Sequence, residues 1–282
     1  VLRCGAALRP GLAFPAEDHA WHGVLVEVCR GVAAAAIGVG ARTEFIGYAH
    51  PQDFARAGGA DDVSFLTGSE LFAQGLFGLL QPGPAAAYDT TQVMVAEGSP
   101  VRHVADLAGT MVCAEPGTAA ERSLIAGMRA RGIGFQLSGW QELEEMMDAF
   151  ASGRCPAVAG AGTALAALRL SDAGAHGRLL PEALAITPVL TVTARRDPAW
   201  SAMVAWVVQA VLGDDGGGDD GLPIDAAALG LAPGWRARVR DAVGSHAEIV
   251  RRCLGDGSAL GLPPGPNQGW AAGGLIAPPA VE

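Results

Sequence analysis

The sequence predicts an α/β protein with a largely parallel sheet, built as two lobes. Strand-like segments alternate with segments of helical spacing, the mark of successive strand–helix units. The chain has 282 residues, enough for about two domains of ordinary size. Half of the residues are apolar and 17% are charged, a globular composition with ample core.

The elements follow in order. LRCGAAL reads as a strand, and PGLAFPAEDHAWHG as a loop rich in turn residues. VLVEVCRGVAAAAIG is apolar and Ala-rich, which predicts a buried helix. RTEFIGYA alternates like a strand, with Phe45 and Tyr48 as aromatic anchors. QDFARAGGADDVSFL predicts a short helix stopped by Gly-Gly and then a strand, and YDTTQVMVAEG a fourth strand. In the second unit VRHVADLAG is a short helix, TMVCAE a strand, GTAAERSLIAGMRARG a helix with Leu124, Ile125 and Met128 apolar, and IGFQLSG a strand. WQELEEMMDAFASG is amphipathic, with Leu143, Met146, Met147 and Phe150 on one face and acids in its first turns. RCPAVAGAG is a short buried strand and turn, TALAALRLS a helix and PVLTVTARRDPAW a strand. The remainder is helical: WSAMVAWVVQAVLG, APGWRARVRDAVGS and SHAEIVRRCLG. The acidic stretch GDDGGGDDG, residues 213–221, has nothing to pack and reads as a solvated loop.

Charge and patterning exclude several classes. The net charge is −10 and all nineteen cations are arginine, which disfavours nucleic acid and anionic membrane surfaces as partners. No apolar run approaches the roughly 18–20 residues of a membrane span. No nucleotide-binding or G-x-S-x-G motif occurs, and no cofactor is expected. His19 and His22 form HAWH in a loop, two potential ligands that do not make a metal site. Glu70 and Glu115 lack a paired base, so an enzyme is not the reading taken. The five cysteines, Cys4, Cys29, Cys113, Cys155 and Cys253, have no metal-binding spacing. They are either reduced core residues or two disulfides with one thiol left over, the latter fitting an oxidising compartment. The numbering starts at Val1 rather than Met, suggesting that a leader has been removed.

MVCAEPGTAAERSL, residues 111–124, raises a sharper question. A strand ends at a Pro-Gly-Thr corner and a helix begins. Such a helix start offers unpaired N–H groups and a positive dipole end to an anion. Thr118 either helps hold a ligand's carboxylate there or simply caps the helix.

Several phrases, in this order, resemble the periplasmic solute-binding proteins of amino-acid ABC transporters, most closely the general L-amino-acid-binding branch. They are LRCG at 2–5, WHGVLVEVCRGVAAA at 21–35, YDTTQVMV at 88–95, AGTMVCAEPGTAAE at 108–121, ASGRCPA at 151–157, ALRLS at 167–171, LLPEAL at 179–184 and GWAAGGLIAPP at 269–279. The resemblance implies a bilobal type II periplasmic-binding-protein fold, two α/β lobes joined by a two-stranded hinge near Val95 and near Thr187 to Thr191. Lobe one would be residues 1–94 plus 188–282, and lobe two 95–187. It also implies disulfides Cys4–Cys29 and Cys113–Cys155, with Cys253 free.

The same resemblance implies ligand contacts from Phe14, Thr67, Ser69, Gln74, Gly117, Thr118, Ala119 and Ala161, and here the chain departs from the pattern. The family holds the carboxylate with an arginine soon after a hydroxyl-rich strand end. In FLTGSELFAQG that position is Gln74, and no arginine lies between Arg56 and Arg102. The family's Gly-Thr-Thr corner is Gly117-Thr118-Ala119, and the aspartate that holds the ammonium is replaced by Ala161. Leu25 stands where the family has an aspartate. A charged hydrogen-bond partner contributes about 1.5–3 kcal/mol, so losing several weakens zwitterion binding by roughly three decades. Both signs of charge are lost together, the mark of a site retuned to a neutral or apolar ligand, or released from ligand binding. The expected partner is an ABC permease. The rival reading is an accessory protein that keeps the fold and binds another periplasmic or membrane protein complex, with Trp200, Trp206 and Trp235 as candidate surface.

Overall fold

A computed structural model describes residues 1–16, 19–49, 53–54, 61–73, 75–174, 176–213 and 226–277. Gln74, most of the 52–60 helix expected from QDFARAGG, and the acidic stretch beyond Gly213 lie outside these. The chain divides into two units, Val1–Tyr88 with Pro188–Glu282, and Asp89–Thr187.

Unit 1 opens with β1 (Leu2–Ala7), the short β2 (Phe14–Pro15) and β3 (Trp21–His22), α1 (Val24–Ala36), β4 (Thr43–Tyr48), β5 (Val63–Thr67) and α2 (Gly68–Ala73). β1 runs parallel to both β4 and β5, so it is flanked on both edges, and apart from the exposed Arg3 it is built from small or apolar residues. α1 is buried on nearly every side, from Val24 to Ala35. Its start depends on Gly23, whose φ of 130° and ψ of 167° belong to a region that only glycine occupies readily. A Cβ there would collide with the Leu12 carbonyl.

β6 (Leu80–Ala96) carries the chain from unit 1 into unit 2, and a later strand brings it back. Its first half, LQPGPAAA, is strand, although strand signals in the residues begin only at Tyr88. The physical reason is position. Over Leu80–Tyr88 no described strand pairs with the side of β6 away from its unit 1 neighbour, so Pro82 and Pro84 break no ladder. Tyr88 on that rim is held instead by a side chain: its N–H donates to Asn267 Oδ1, and Asn267 Nδ2 donates to its carbonyl, both at 2.7 Å.

Unit 2 then contains β7 (Met111–Ala114), α3 (Ala119–Ala130), β8 (Gln136–Gly139), α4 (Leu143–Ala151), β9 (Ala157–Ala161), α5 (Gly162–Leu168) and β10 (Gly177–Leu179). β7 is parallel to β8 and β9, while β9 and β10 are antiparallel to β6. Two apolar clusters form its core, one around Val112, Leu124, Met128 and Leu180, the other around Met94, Met147, Phe150 and Leu165. Two apolar residues assigned to helix faces by spacing are exposed. Ile125 lies outside the buried face Leu124, Gly127 and Met128, and Leu143 sits at the first, least covered position of α4.

β11 (Ala185–Ala194) returns to unit 1 antiparallel to β5, beside β6. It is followed by α6 (Pro198–Gly213), α7 (Trp235–Val243) and α8 (His246–Cys253). Gly31 lets α1 close on these helices, since a Cβ there would stand 2.9 Å from Val211 Cγ2. Glu27 of α1 is buried between Arg30 Nη1 at 2.6 Å and Arg252 Nη2 at 2.9 Å.

Cys4 is bonded to Cys29 and Cys113 to Cys155, while Cys253 is free. The first bridge ties β1 to α1, and the second ties β7 to the segment leading into β9. They span 25 and 42 residues of sequence, loops whose closure stabilises a fold by about 3–4 kcal/mol in the chain-entropy view. Reduction, or Cys113→Ala with Cys155→Ala, is expected to lower unfolding free energy by about 2–4 kcal/mol in urea titration.

Asp61 is a buried carboxylate of unit 1. Its Oδ2 accepts from Tyr48 Oη at 3.0 Å and Ser64 Oγ at 3.3 Å, while its Oδ1 is buried with no hydrogen-bond partner. Burial raises its pKa above the ordinary 3.8, with the two hydroxyls pulling the other way. A raised carboxyl pKa gives stability that is present at low pH and is lost as pH rises through the folded value. Asp61→Asn does not carry that loss. Urea titrations at pH 4, 5.5 and 7 are therefore expected to show stability shifting in favour of the variant as pH rises.

Candidate functional site

Gln74 lies outside the described residues; the other candidates sit at strand ends and helix starts, where a sheet of this class places its ligands. In unit 1, β1 and β5 are adjacent and parallel, and both end at this rim. Thr67 closes β5 and caps α2 in a reciprocal box: Glu70 N donates to Thr67 Oγ1 at 3.2 Å, and Thr67 N donates to Glu70 Oε2 at 2.7 Å. Ser69 Oγ lies 3.1 Å from Thr67 Oγ1, so the two hydroxyls engage each other. The other Glu70 oxygen takes Arg9 Nη2 at 2.5 Å, and the two side chains are only 14% and 15% exposed. Arg9 follows β1 in a tight turn, fixed by paired bonds between its backbone and that of Ala13, at 2.9 and 2.8 Å. Phe14 follows that turn in β2 and is 43% exposed. Leu25 is fully buried in α1 and belongs to the core.

Arg9 was not foreseen. A search for a cation limited to the stretch after β5 finds none, whereas the fold brings one from a strand end some sixty residues upstream. The only signal was a charged residue at the end of an apolar strand.

In unit 2 the Gly117–Thr118–Ala119 corner forms the start of α3. Gly117 takes φ 75°, which turns the chain out of β7 into the helix. Thr118 is the N-cap, its Oγ1 accepting from Glu121 N at 3.2 Å and donating to Glu115 O at 2.8 Å. The Glu121 carboxylate folds back to accept from Gly117 N at 2.7 Å, and Arg122 Nη1 holds the Gly117 carbonyl at 2.8 Å. A carboxylate does stand at this corner, and it is the protein's own.

Ala161 ends β9 and serves as N-cap of α5 without a side-chain bond. The acceptor at this helix start is Asp89, 6% exposed, a residue that the strand pattern of YDTTQVMVAEG does not mark as a partner. Its Oδ2 accepts from Thr163 Oγ1 at 2.9 Å, and its Oδ1 from Thr163 N at 3.3 Å and Thr90 N at 2.8 Å. A cavity of about 300 Å³ in unit 1, between β6, β11 and α6, contains none of the candidate residues. Among the described residues no group of three or more His, Cys, Asp or Glu side chains is arranged to hold a metal, and no helix is long and apolar enough to cross a membrane. Trp235 is buried, and Trp200 and Trp206 are half-buried, so none of the three offers a broad free face.

The alternation of strands and helices, the two units and the two strands that pass between them define the fold of the bilobal periplasmic binding proteins. A solved ABC-transporter periplasmic binding protein from Brucella ovis, described with glutathione bound, matches with TM-score 0.78 and 24% identity over 100% of this chain and 96% of its own. An amino-acid ABC-transporter extracellular-binding protein from Bacillus subtilis, ytmK, matches with TM-score 0.61 and 15% identity over 86% and 97%. In sequence, the chain is similar to proteins named for solute binding and not for catalysis. It is 26% identical to the Escherichia coli amino-acid ABC transporter-binding protein YhdW, over 97% of this chain and 87% of that protein. It is 25% identical to the general L-amino acid-binding periplasmic protein AapJ of Rhizobium johnstonii, over 96% and 87%. No family model matches the chain.

Proposed function

We propose that this chain is a periplasmic solute-binding protein that delivers its ligand to an ABC permease, and that this ligand lacks the paired charges of an amino-acid zwitterion. The observation that carries the reading is that helix starts at the candidate positions are occupied from within. Glu70 fills the one after Thr67, Glu121 the one at Gly117, and Asp89 the one after Ala161. A donor already paired to an internal carboxylate offers an incoming carboxylate little, and a carboxylate already holding three donors offers an ammonium little. A neutral solute avoids both conflicts. In this reading closure of the lobes about β6 and β11 is the motion that the permease senses.

The test is to purify the chain without refolding, identify any copurified small molecule by mass spectrometry, and screen thermal shifts. L-Glutamate, L-glutamine, L-arginine and glutathione are compared with neutral metabolites. A ligand that binds only the folded state raises the melting temperature in proportion to its saturation. Neutral compounds are expected to do so and the zwitterions to leave it unchanged. A response to an ordinary L-amino acid at about micromolar concentration would reverse the assignment.

A further inference from the structure

We propose that the Arg9–Glu70 pair determines the ligand charge that unit 1 accepts, with Glu70 standing where a ligand carboxylate would otherwise dock. This deepens the reading of a neutral ligand and rests on it.

The pair has the features of a built counter-ion. Arg9 is pinned by its turn with Ala13, and Glu70 by the capping box with Thr67, so both partners are held by backbone geometry rather than by their own side-chain freedom. Their separation is 2.5 Å and both side chains are largely covered. One guanidinium nitrogen, Nη1, is buried without any hydrogen-bond partner. The arginine is thus satisfied in charge while keeping unused hydrogen-bonding capacity. A second carboxylate approaching it would meet the Glu70 charge in a region screened poorly from water, and like charges there repel. A carbonyl, amide or hydroxyl acceptor meets no such repulsion. The solute class favoured at this rim is therefore neutral and acceptor-bearing, and Glu70 is the residue that makes it so.

Glu70→Gln is the diagnostic change, because glutamine at the third position of a capping box still accepts from the Thr67 N–H while the charge disappears. Binding of matched acid and amide probes, succinate against succinamide, is measured by isothermal titration for the wild type, Glu70→Gln and the double variant Arg9→Gln/Glu70→Gln, with circular dichroism checking the fold of each. The wild type is expected to bind succinate at least about tenfold more weakly than Glu70→Gln does. The double variant is expected to lose the gain, and the gain is expected to shrink at high salt. A folded Glu70→Gln protein that takes up succinate no better than the wild type would overturn the proposal, as would retention of the gain without Arg9. Should Glu70→Gln not fold, Arg9→Gln, which leaves the Thr67–Glu70 capping box in place, provides the second arm. It is expected to bind succinamide at least about tenfold more weakly than the wild type, and unchanged succinamide binding would count against the idea. None of these outcomes depends on whether the wild type answers to L-amino acids, so the two readings fail separately.

Discussion

Gly23→Ala is expected to destabilise the protein by about 3–5 kcal/mol, the sum of a backbone conformation that alanine resists and of steric overlap with a main-chain atom. The Leu12 carbonyl that a Cβ would strike also accepts the Leu25 N–H, and Gly11 O accepts the Val24 N–H. These bonds fasten the start of α1 to the turn that presents Arg9. The damage should therefore reach the rim of unit 1, not only the helix. Urea titration measures the loss, and a cost below about 1 kcal/mol would mean that this turn yields far more easily than its geometry implies.

Asp89→Ala is expected to cost about 3 kcal/mol, because three donors around a buried carboxylate lose their acceptor together. Asp89→Asn should cost less, since the amide oxygen keeps some of those bonds. This result also separates two roles. If Asp89 mainly gripped a ligand's ammonium group, Asp89→Ala would leave stability within about 0.5 kcal/mol and would remove a ligand-induced thermal shift instead. Thermal melts with and without ligand, alongside urea titration, distinguish the cases.

Local pattern carried much of the architecture. The continuous apolar run of α1 and the Met146–Met147–Phe150 face of α4 are visible because their burial follows directly from helical spacing. The first half of β6 was hidden because its prolines are forbidden in a paired strand, and only the sheet order shows that one side has no strand partner there among the described residues. Around the candidate site, the polarity changes at Ala119 and Ala161 are legible in sequence, but what replaces them is not. Arg9 reaches Glu70 across 61 positions, and Asp89 reaches Thr163 across 74. Such partnerships arise from strand adjacency, which residue spacing does not encode. Thr118 was the clearest case of both: its capping role follows from the residue type, whereas the Glu121 carboxylate that closes the corner emerges from side-chain geometry.

The prolines on the open rim of β6 bear on how copies of this molecule behave when crowded together. A naked row of amide hydrogens invites a foreign strand to zip on, and from there fibrils or exchanged dimers can grow. Pro82 and Pro84 remove two of those hydrogens within three residues, and Asn267 covers the next accessible rung. The protein can thus keep a long bridging strand without handing its neighbours a seam on which to polymerise.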